Sequence, residues 1–190
     1  LTYGRIAVVP VFVWLLMVPT RERCFYAAMV FIAASWTDMI DGWLARRWNC
    51  QSPMGALLDP LADKILVMAA FVMLASANPE PRIPAWIVVV MLGREMLVSG
   101  LRSLAASTGI VVPASRWAKH KTAWTMLALV CLLLDEVYSP LFFPIDCHVS
   151  GVIFLWIALV QSVVTGVDYT INIGKLIGTI ESVPDEIEIG

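Results

Sequence analysis

Long hydrophobic runs divide the chain into six segments, which are separated by short polar breaks. The runs lie at about residues 2–19, 24–45, 55–77, 84–107, 118–137 and 149–172. Each is close to the roughly 20 residues with which a helix crosses the hydrocarbon core of a bilayer, and the breaks contain turn formers such as the proline-rich stretch 78–82. The pattern predicts an all-α, polytopic integral membrane protein with about six transmembrane helices over residues 1–175 and a short acidic tail over 176–190.

Composition supports this prediction and excludes a water-soluble enzyme. Of the 190 residues, 59% are hydrophobic and 15% are charged, and the mean hydropathy is +0.80, whereas a soluble domain is about half apolar and a quarter charged. After six crossings the length leaves no room for a sizeable extramembrane domain. The first run lacks a basic leader and a small-residue cleavage site, so we expect a membrane helix there and not a signal peptide.

Basic residues are distributed unequally between the two sides of the predicted membrane. Six crossings place both termini on one side, together with the second-to-third and fourth-to-fifth connections. That side carries Arg46, Arg47, Arg102, Arg116, Lys119, Lys121 and Lys175, and the other carries Arg21, Arg23 and Arg82. The positive-inside rule therefore predicts that the first side is cytoplasmic.

Four aspartates in or beside the second and third runs are the strongest candidates for chemistry: Asp38, Asp41, Asp59 and Asp63. Each unpaired carboxylate would cost about 2.5–3.5 kcal/mol at mid-membrane. Spacings of three and four residues put each pair on one helix face, and a short loop between the helices predicts an antiparallel hairpin that brings the pairs together. An all-oxygen cluster without His or Cys suits a hard divalent cation such as Mg²⁺ or Mn²⁺, so we predict a site for one or two metal ions.

Basic residues in the later runs predict a second pocket. Arg94 lies inside the fourth run, Arg102 follows it, and Lys119 and Lys121 begin the fifth run. Cations in apolar helices face a cavity or an anion more often than lipid, and a separate basic pocket favours an acceptor that carries its own phosphate. Two alternatives to phosphate binding remain open. Glu95 could pair with Arg102 or Lys121, and Lys119 could be an interfacial lysine.

The stretch from Asp38 to Asp63 resembles the signature of the CDP-alcohol phosphotransferase family, D-x2-D-G-x2-A-R-x8-G-x3-D-x3-D, and matches it at every fixed position. The resemblance implies transfer of a phosphatidyl-type group from a CDP-linked donor to an alcohol, with release of CMP. It also implies that Asp38, Asp41, Asp59 and Asp63 bind the metal, that Asp63 is the general base, and that Gly42, Ala45, Arg46 and Gly55 bind the CDP-lipid.

Three further segments resemble the bacterial phosphatidylglycerophosphate synthase branch of this family: residues 93–102, residues 119–122 and the start of the chain, LTYGR at 1–5. Ala118 and Thr125 differ from the Gly and Gln that are usual in the branch. The resemblance implies CDP-diacylglycerol as donor and sn-glycerol 3-phosphate as acceptor. The residues that it implies for the acceptor phosphate are Arg94, Arg102, Lys119, Lys121 and Arg5.

Other functions remain as alternatives. The same chemistry with another acceptor would make cardiolipin, phosphatidylinositol phosphate or phosphatidylserine. A divalent-cation transporter would also place acids inside a membrane, but the acids cluster at one end of a hairpin and no inverted repeat is evident. The resemblance further implies a homodimer in the inner (cytoplasmic) membrane of a bacterium, with the active site facing the cytoplasm and in contact with membrane lipids. No nucleic-acid partner is expected.

Overall fold

A computed structural model describes the backbone of residues 2–48, 53–77, 80–107, 116–134 and 146–181, and side chains over residues 7–37, 64–77, 80–105, 121–134 and 146–174. These segments form six α-helices: α1 Thr2–Leu16, α2 Arg21–Trp48, α3 Pro53–Ala75, α4 Ala85–Ser107, α5 Arg116–Leu133 and α6 Cys147–Glu181. The prediction of an all-α protein is confirmed for this part of the chain. The helix α6 continues to Glu181, beyond the end predicted at residue 172 and into the predicted tail.

Residues in the polar breaks between the runs form the N-terminal ends of several helices. The hydroxyl oxygen of Thr20 accepts a hydrogen bond from the backbone N–H of Arg23 at 3.5 Å, at the start of α2. At the start of α6, the Asp146 carboxylate accepts from the backbone N–H of His148 at 3.0 Å. Both are N-caps, which satisfy N–H groups that have no partner inside the helix. Pro53 begins α3, where a missing N–H has no cost.

The core forms around α3, which packs against α1, α2, α4 and α5, while α6 packs against α4 and α5. Phe12 of α1 and Phe31 of α2 are fully buried, with ring centroids 6.0 Å apart. A Cβ atom added to Gly151 of α6 would lie 2.8 Å from Cγ of Leu132, so this glycine permits the close approach of α5 and α6.

Over the described residues, much of the outward surface of α4 and α6 is apolar. Large side chains are exposed along α4 and α6, including Val89 (70%), Met96 (66%) and Val164 (61%). Soluble monomers rarely expose such extended apolar areas. Among the described residues, one helix is long and apolar enough to span a membrane by length and composition, over Cys147–Gly174 with a mean hydropathy of 2.0. The number of crossings is therefore a prediction from the sequence.

A buried arginine joins several helix ends on one side of the bundle. The backbone N–H of Arg82 donates to the carbonyl oxygen of Leu74 at 3.0 Å, near the end of α3. Its Nη1 donates to the carbonyl oxygens of Leu132 (2.9 Å) and Leu133 (3.4 Å) at the end of α5, and its Nη2 lies 3.7 Å from Sγ of Cys24. A cation that satisfies C-terminal carbonyls stabilises the helix ends, so Arg82 has a structural role.

Candidate active site

Four charged side chains meet between α3, α4 and α5. We call Lys64, Arg94, Glu95 and Lys121 the Glu95 cluster. Oε2 of Glu95 lies 2.5 Å from Nζ of Lys121 and 3.0 Å from Nη1 of Arg94, and Oε1 lies 3.8 Å from Nζ of Lys64. One carboxylate thus faces three cations. The cluster keeps an excess of positive charge, which attracts anions.

Lys64, on α3, makes two contacts with residues of α4. Its ammonium group donates a hydrogen bond to the hydroxyl of Ser99, which donates to the backbone carbonyl of Glu95 at 2.7 Å. The ammonium group of Lys64 also lies near the Glu95 carboxylate, so α3 and α4 are joined at this level by an ion pair and a hydrogen bond.

Arg94 joins the Glu95 cluster to α6. Its Nε donates to the carbonyl oxygen of Ser162 at 2.9 Å and its Nη2 to the hydroxyl of Thr165 at 2.8 Å. A Cβ atom added to Gly166 would lie 2.9 Å from Cγ of Arg94, so the glycine makes room for the arginine. Because Nη1 contacts Glu95, all three guanidinium nitrogens have partners in the protein.

A cavity of about 80 Å³ lies beside the cluster. Its polar lining comes from Lys64, Glu95, Lys121, Thr122 and Thr125. The remaining lining is apolar and comes from Val67, Met68, Phe71, Met91, Leu92 and Met126. One water molecule needs about 10–15 Å³ measured in this way, so the cavity has room for a polar group of several atoms.

Of the predicted phosphate-binding residues, the structure brings Arg94 and Lys121 to the same carboxylate. Of the two partners considered for Glu95, the structure has Lys121. Arg102 lies apart on the exposed part of α4, with its guanidinium carbon 5.6 Å from the ring centroid of Tyr169 and its Nε 3.4 Å from the Tyr169 hydroxyl. Lys64 was not among the predicted site residues, although a lysine inside an apolar run is a signal for a polar site.

The other predicted site residues lie on helices, but their side chains are outside the described residues. Asp38, Asp41, Gly42, Ala45 and Arg46 are on α2; Gly55, Asp59 and Asp63 are on α3; Arg5 is on α1 and Lys119 on α5. The helices α2 and α3 pack against each other, as expected for the predicted hairpin. Asp63 immediately precedes Lys64, which lines the cavity, so the part of α3 that carries the aspartates adjoins the cavity in sequence.

The family model described as CDP-alcohol phosphatidyltransferase matches residues 1–164. The chain belongs to this family. The match extends from α1 into α6 and includes both the aspartate segment and the Glu95 cluster. The family resemblance described above is confirmed, and the protein is a transferase enzyme.

Three bacterial relatives of the chain have the name CDP-diacylglycerol–glycerol-3-phosphate 3-phosphatidyltransferase. The relative from Rickettsia typhi is 38% identical over 169 residues, covering 89% of this chain and 92% of the relative. The one from Bacillus subtilis is 36% identical over 182 residues, covering 89% and 90%. The one from Pseudomonas fluorescens is 41% identical over 140 residues, covering 71% and 70%.

Proposed function

We propose that this protein transfers the phosphatidyl group of CDP-diacylglycerol to sn-glycerol 3-phosphate, producing phosphatidylglycerophosphate and CMP. The observation that carries the proposal is the likeness to relatives named for this reaction over 89% of the chain. Among the described side chains, the excess of positive charge beside the cavity supports an acceptor that carries a phosphate.

The donor set fits a divalent metal. Two helices that pack together carry the four carboxylates, and oxygen ligands without thiolate or imidazole suit Mg²⁺ or Mn²⁺. Asp38, Asp41, Asp59 and Asp63 would hold the ion. When bound, it would neutralise charge on the donor diphosphate. Gly42, Ala45, Arg46 and Gly55 would contact the CDP-lipid.

Asp63 is the proposed general base. It would accept the proton of the glycerol hydroxyl as this oxygen attacks the phosphorus that carries diacylglycerol, and CMP would leave from the opposite side. The proposed contacts to the acceptor phosphate come from Arg102, Lys119, Lys121 and Arg5, whereas Arg94, whose three guanidinium nitrogens have partners in the protein, is proposed to act through Glu95. Lys121 is the member of this set that lines the cavity among the described side chains.

The proposed location is the inner membrane of a bacterium. Each chain would cross it about six times, two chains would form a homodimer, and the active site would face the cytoplasm. The apolar outward surface of α4 and α6 supports burial in lipid. The basic residues on the predicted cytoplasmic side support the orientation.

The test is CMP release by the purified, detergent-solubilised protein with CDP-diacylglycerol and Mg²⁺. Glycerol 3-phosphate, inositol phosphate, serine and phosphatidylglycerol are compared as acceptors. We expect release with glycerol 3-phosphate alone. Because general-base catalysis contributes about 10²–10⁴-fold, Asp63→Asn should lower the rate at least about 100-fold. The matched control is Asp168→Asn, which removes an exposed carboxylate on α6 and should retain the wild-type rate.

Two results would contradict the proposal. Release with a different acceptor would keep the family chemistry and replace glycerol 3-phosphate as substrate. No release with any acceptor, in a folded sample that binds metal, would favour the transporter, for which metal uptake into proteoliposomes without CDP-lipid is the direct assay.

A further inference from the structure

A cation beside the cavity, Lys64, has no role in the reaction proposed above. Its side chain is 31% exposed, and it lies in α3 directly after Asp63. Lysine within an apolar helix is costly unless an anion or a polar cavity compensates it. Oε1 of Glu95, 3.8 Å from Nζ of Lys64, compensates part of this charge. Lys64 also lines the cavity.

Lys64 and Lys121 have two features in common: each contacts Glu95 and each lines the cavity. They come from different helices, α3 and α5, and approach the two oxygens of the same Glu95 carboxylate. Both line the cavity. Arg94 differs from them, because its guanidinium group is directed to α6 and it is absent from the cavity lining among the described residues.

Both ammonium groups retain hydrogen-bonding capacity. An ammonium group has three N–H donors. Within the described residues, Lys64 donates to Ser99 and lies near Glu95, and Lys121 donates to Glu95. With the partners that the described residues provide, N–H donors remain for a ligand in the cavity. A phosphate monoester carries a charge of about −1.5 to −2 near pH 7, which two ammonium groups match.

We infer that Lys64 and Lys121 together bind the phosphate of the acceptor in this cavity, and that Glu95 holds both ammonium groups in place. Arg94 is a positioning residue that acts through Glu95 and does not touch the phosphate. The inference rests on the proposed function and deepens it. The ligand class is the phosphate monoester of a small polyol, and Lys64 is a binding residue that sequence analysis did not identify.

The first test is steady-state kinetics of Lys64→Met in the full-length protein, with each substrate varied in turn. Loss of a hydrogen-bonded charge contact should raise KM for glycerol 3-phosphate about 10- to 100-fold. KM for CDP-diacylglycerol should stay within about twofold of wild type, and Lys64→Arg should recover part of the loss. Arg23→Met is the matched control: it also removes one cation, which lies over Trp14 in α1 and not at the cavity.

A second test measures binding without turnover, with inorganic phosphate as the probe. Phosphate should raise the thermal midpoint of the wild-type protein, because a ligand that binds the folded state stabilises it. The shift should be absent in Lys64→Met and present in Arg23→Met. If Lys64→Met fails to fold, Ser99→Ala takes its place, since it removes the hydroxyl that holds the lysine and should give a smaller increase of KM in the same direction.

The two proposals fail differently. If Lys64→Met raises KM for CDP-diacylglycerol, or lowers kcat alone, the lysine serves the donor or Asp63, and this inference is wrong while the proposed function stands. If the wild-type protein is inactive with glycerol 3-phosphate, the proposed function is wrong, and the phosphate-dependent thermal shift alone decides whether Lys64 binds phosphate.

Discussion

Two groups of cations lie inside the bundle and have different kinds of partners. Arg82 donates to main-chain carbonyl oxygens at the end of α5. Lys64, Arg94 and Lys121 share the carboxylate of Glu95. The two groups are separated along α3 and α5 by about 15 Å, since a helix rises about 1.5 Å per residue.

The difference lies in the partners and in the space beside them. Nη1 of Arg82 donates to carbonyl groups at the end of α5, where the helix provides no partner, so its contribution is to stability. The Glu95 cluster has more cations than anions and borders a cavity. We therefore expect a functional role where excess charge lies next to a cavity, and not from the burial of a cation alone.

Among the changes that test this comparison, Lys121→Met should have the largest effect. Lys121 lies 2.5 Å from Glu95 and lines the cavity. A hydrogen bond to a charged group contributes about 1.5–3 kcal/mol, so kcat/KM for glycerol 3-phosphate should fall about 10- to 100-fold. The measurement is CMP release against acceptor concentration. A normal KM together with a lower thermal midpoint would make Lys121 structural, like Arg82.

Arg82→Met should lower stability and leave KM unchanged, in contrast to Lys121→Met. Removal of the guanidinium group leaves buried carbonyl oxygens of α5 without this donor, at a cost of about 1–3 kcal/mol. We expect a lower thermal midpoint in detergent and unchanged KM values for both substrates. An increase in KM for glycerol 3-phosphate at normal stability would break the distinction between the two regions.

Gly166→Ala should have the smallest effect. The added methyl group would lie 2.9 Å from Cγ of Arg94 and displace this side chain, which contacts Glu95. Because Arg94 acts through Glu95, KM for glycerol 3-phosphate should rise about threefold, a modest part of the effect of losing a direct contact. Gly174→Ala is the control, since a Cβ atom there has no neighbour within 4 Å. Equal effects of both changes would point to helix propensity and not to Arg94.

Much of the fold was predictable, because each helix coincides with a hydrophobic run. The largest error is at the end of α6, which continues to Glu181 although the apolar run ends near residue 172. Hydropathy detects the apolar portion of a helix, and polar residues such as Asn172 and Lys175 end that portion without breaking the helix.

The partners of Glu95 were only partly predictable. Arg94 and Glu95 are adjacent in sequence and therefore point about 100° apart on α4. The structure directs the first to α6 and the second to the cavity between α3 and α5. From the sequence, Glu95 had two possible partners, Arg102 and Lys121, because helix periodicity does not show which helix lies opposite.

Composition and spacing along the chain predict the six helices of the described segments, the aspartate signature and the resemblance to the CDP-alcohol phosphotransferase family, because these are local or short-range properties of the polypeptide. The arrangement of Lys64 and Lys121 around Glu95, the anchoring of Arg94 on α6 and the separation of Arg102 depend on the packing of helices that are distant in sequence. A side chain inside an apolar helix must find its partner on a neighbouring helix, and the choice of neighbour belongs to the three-dimensional fold.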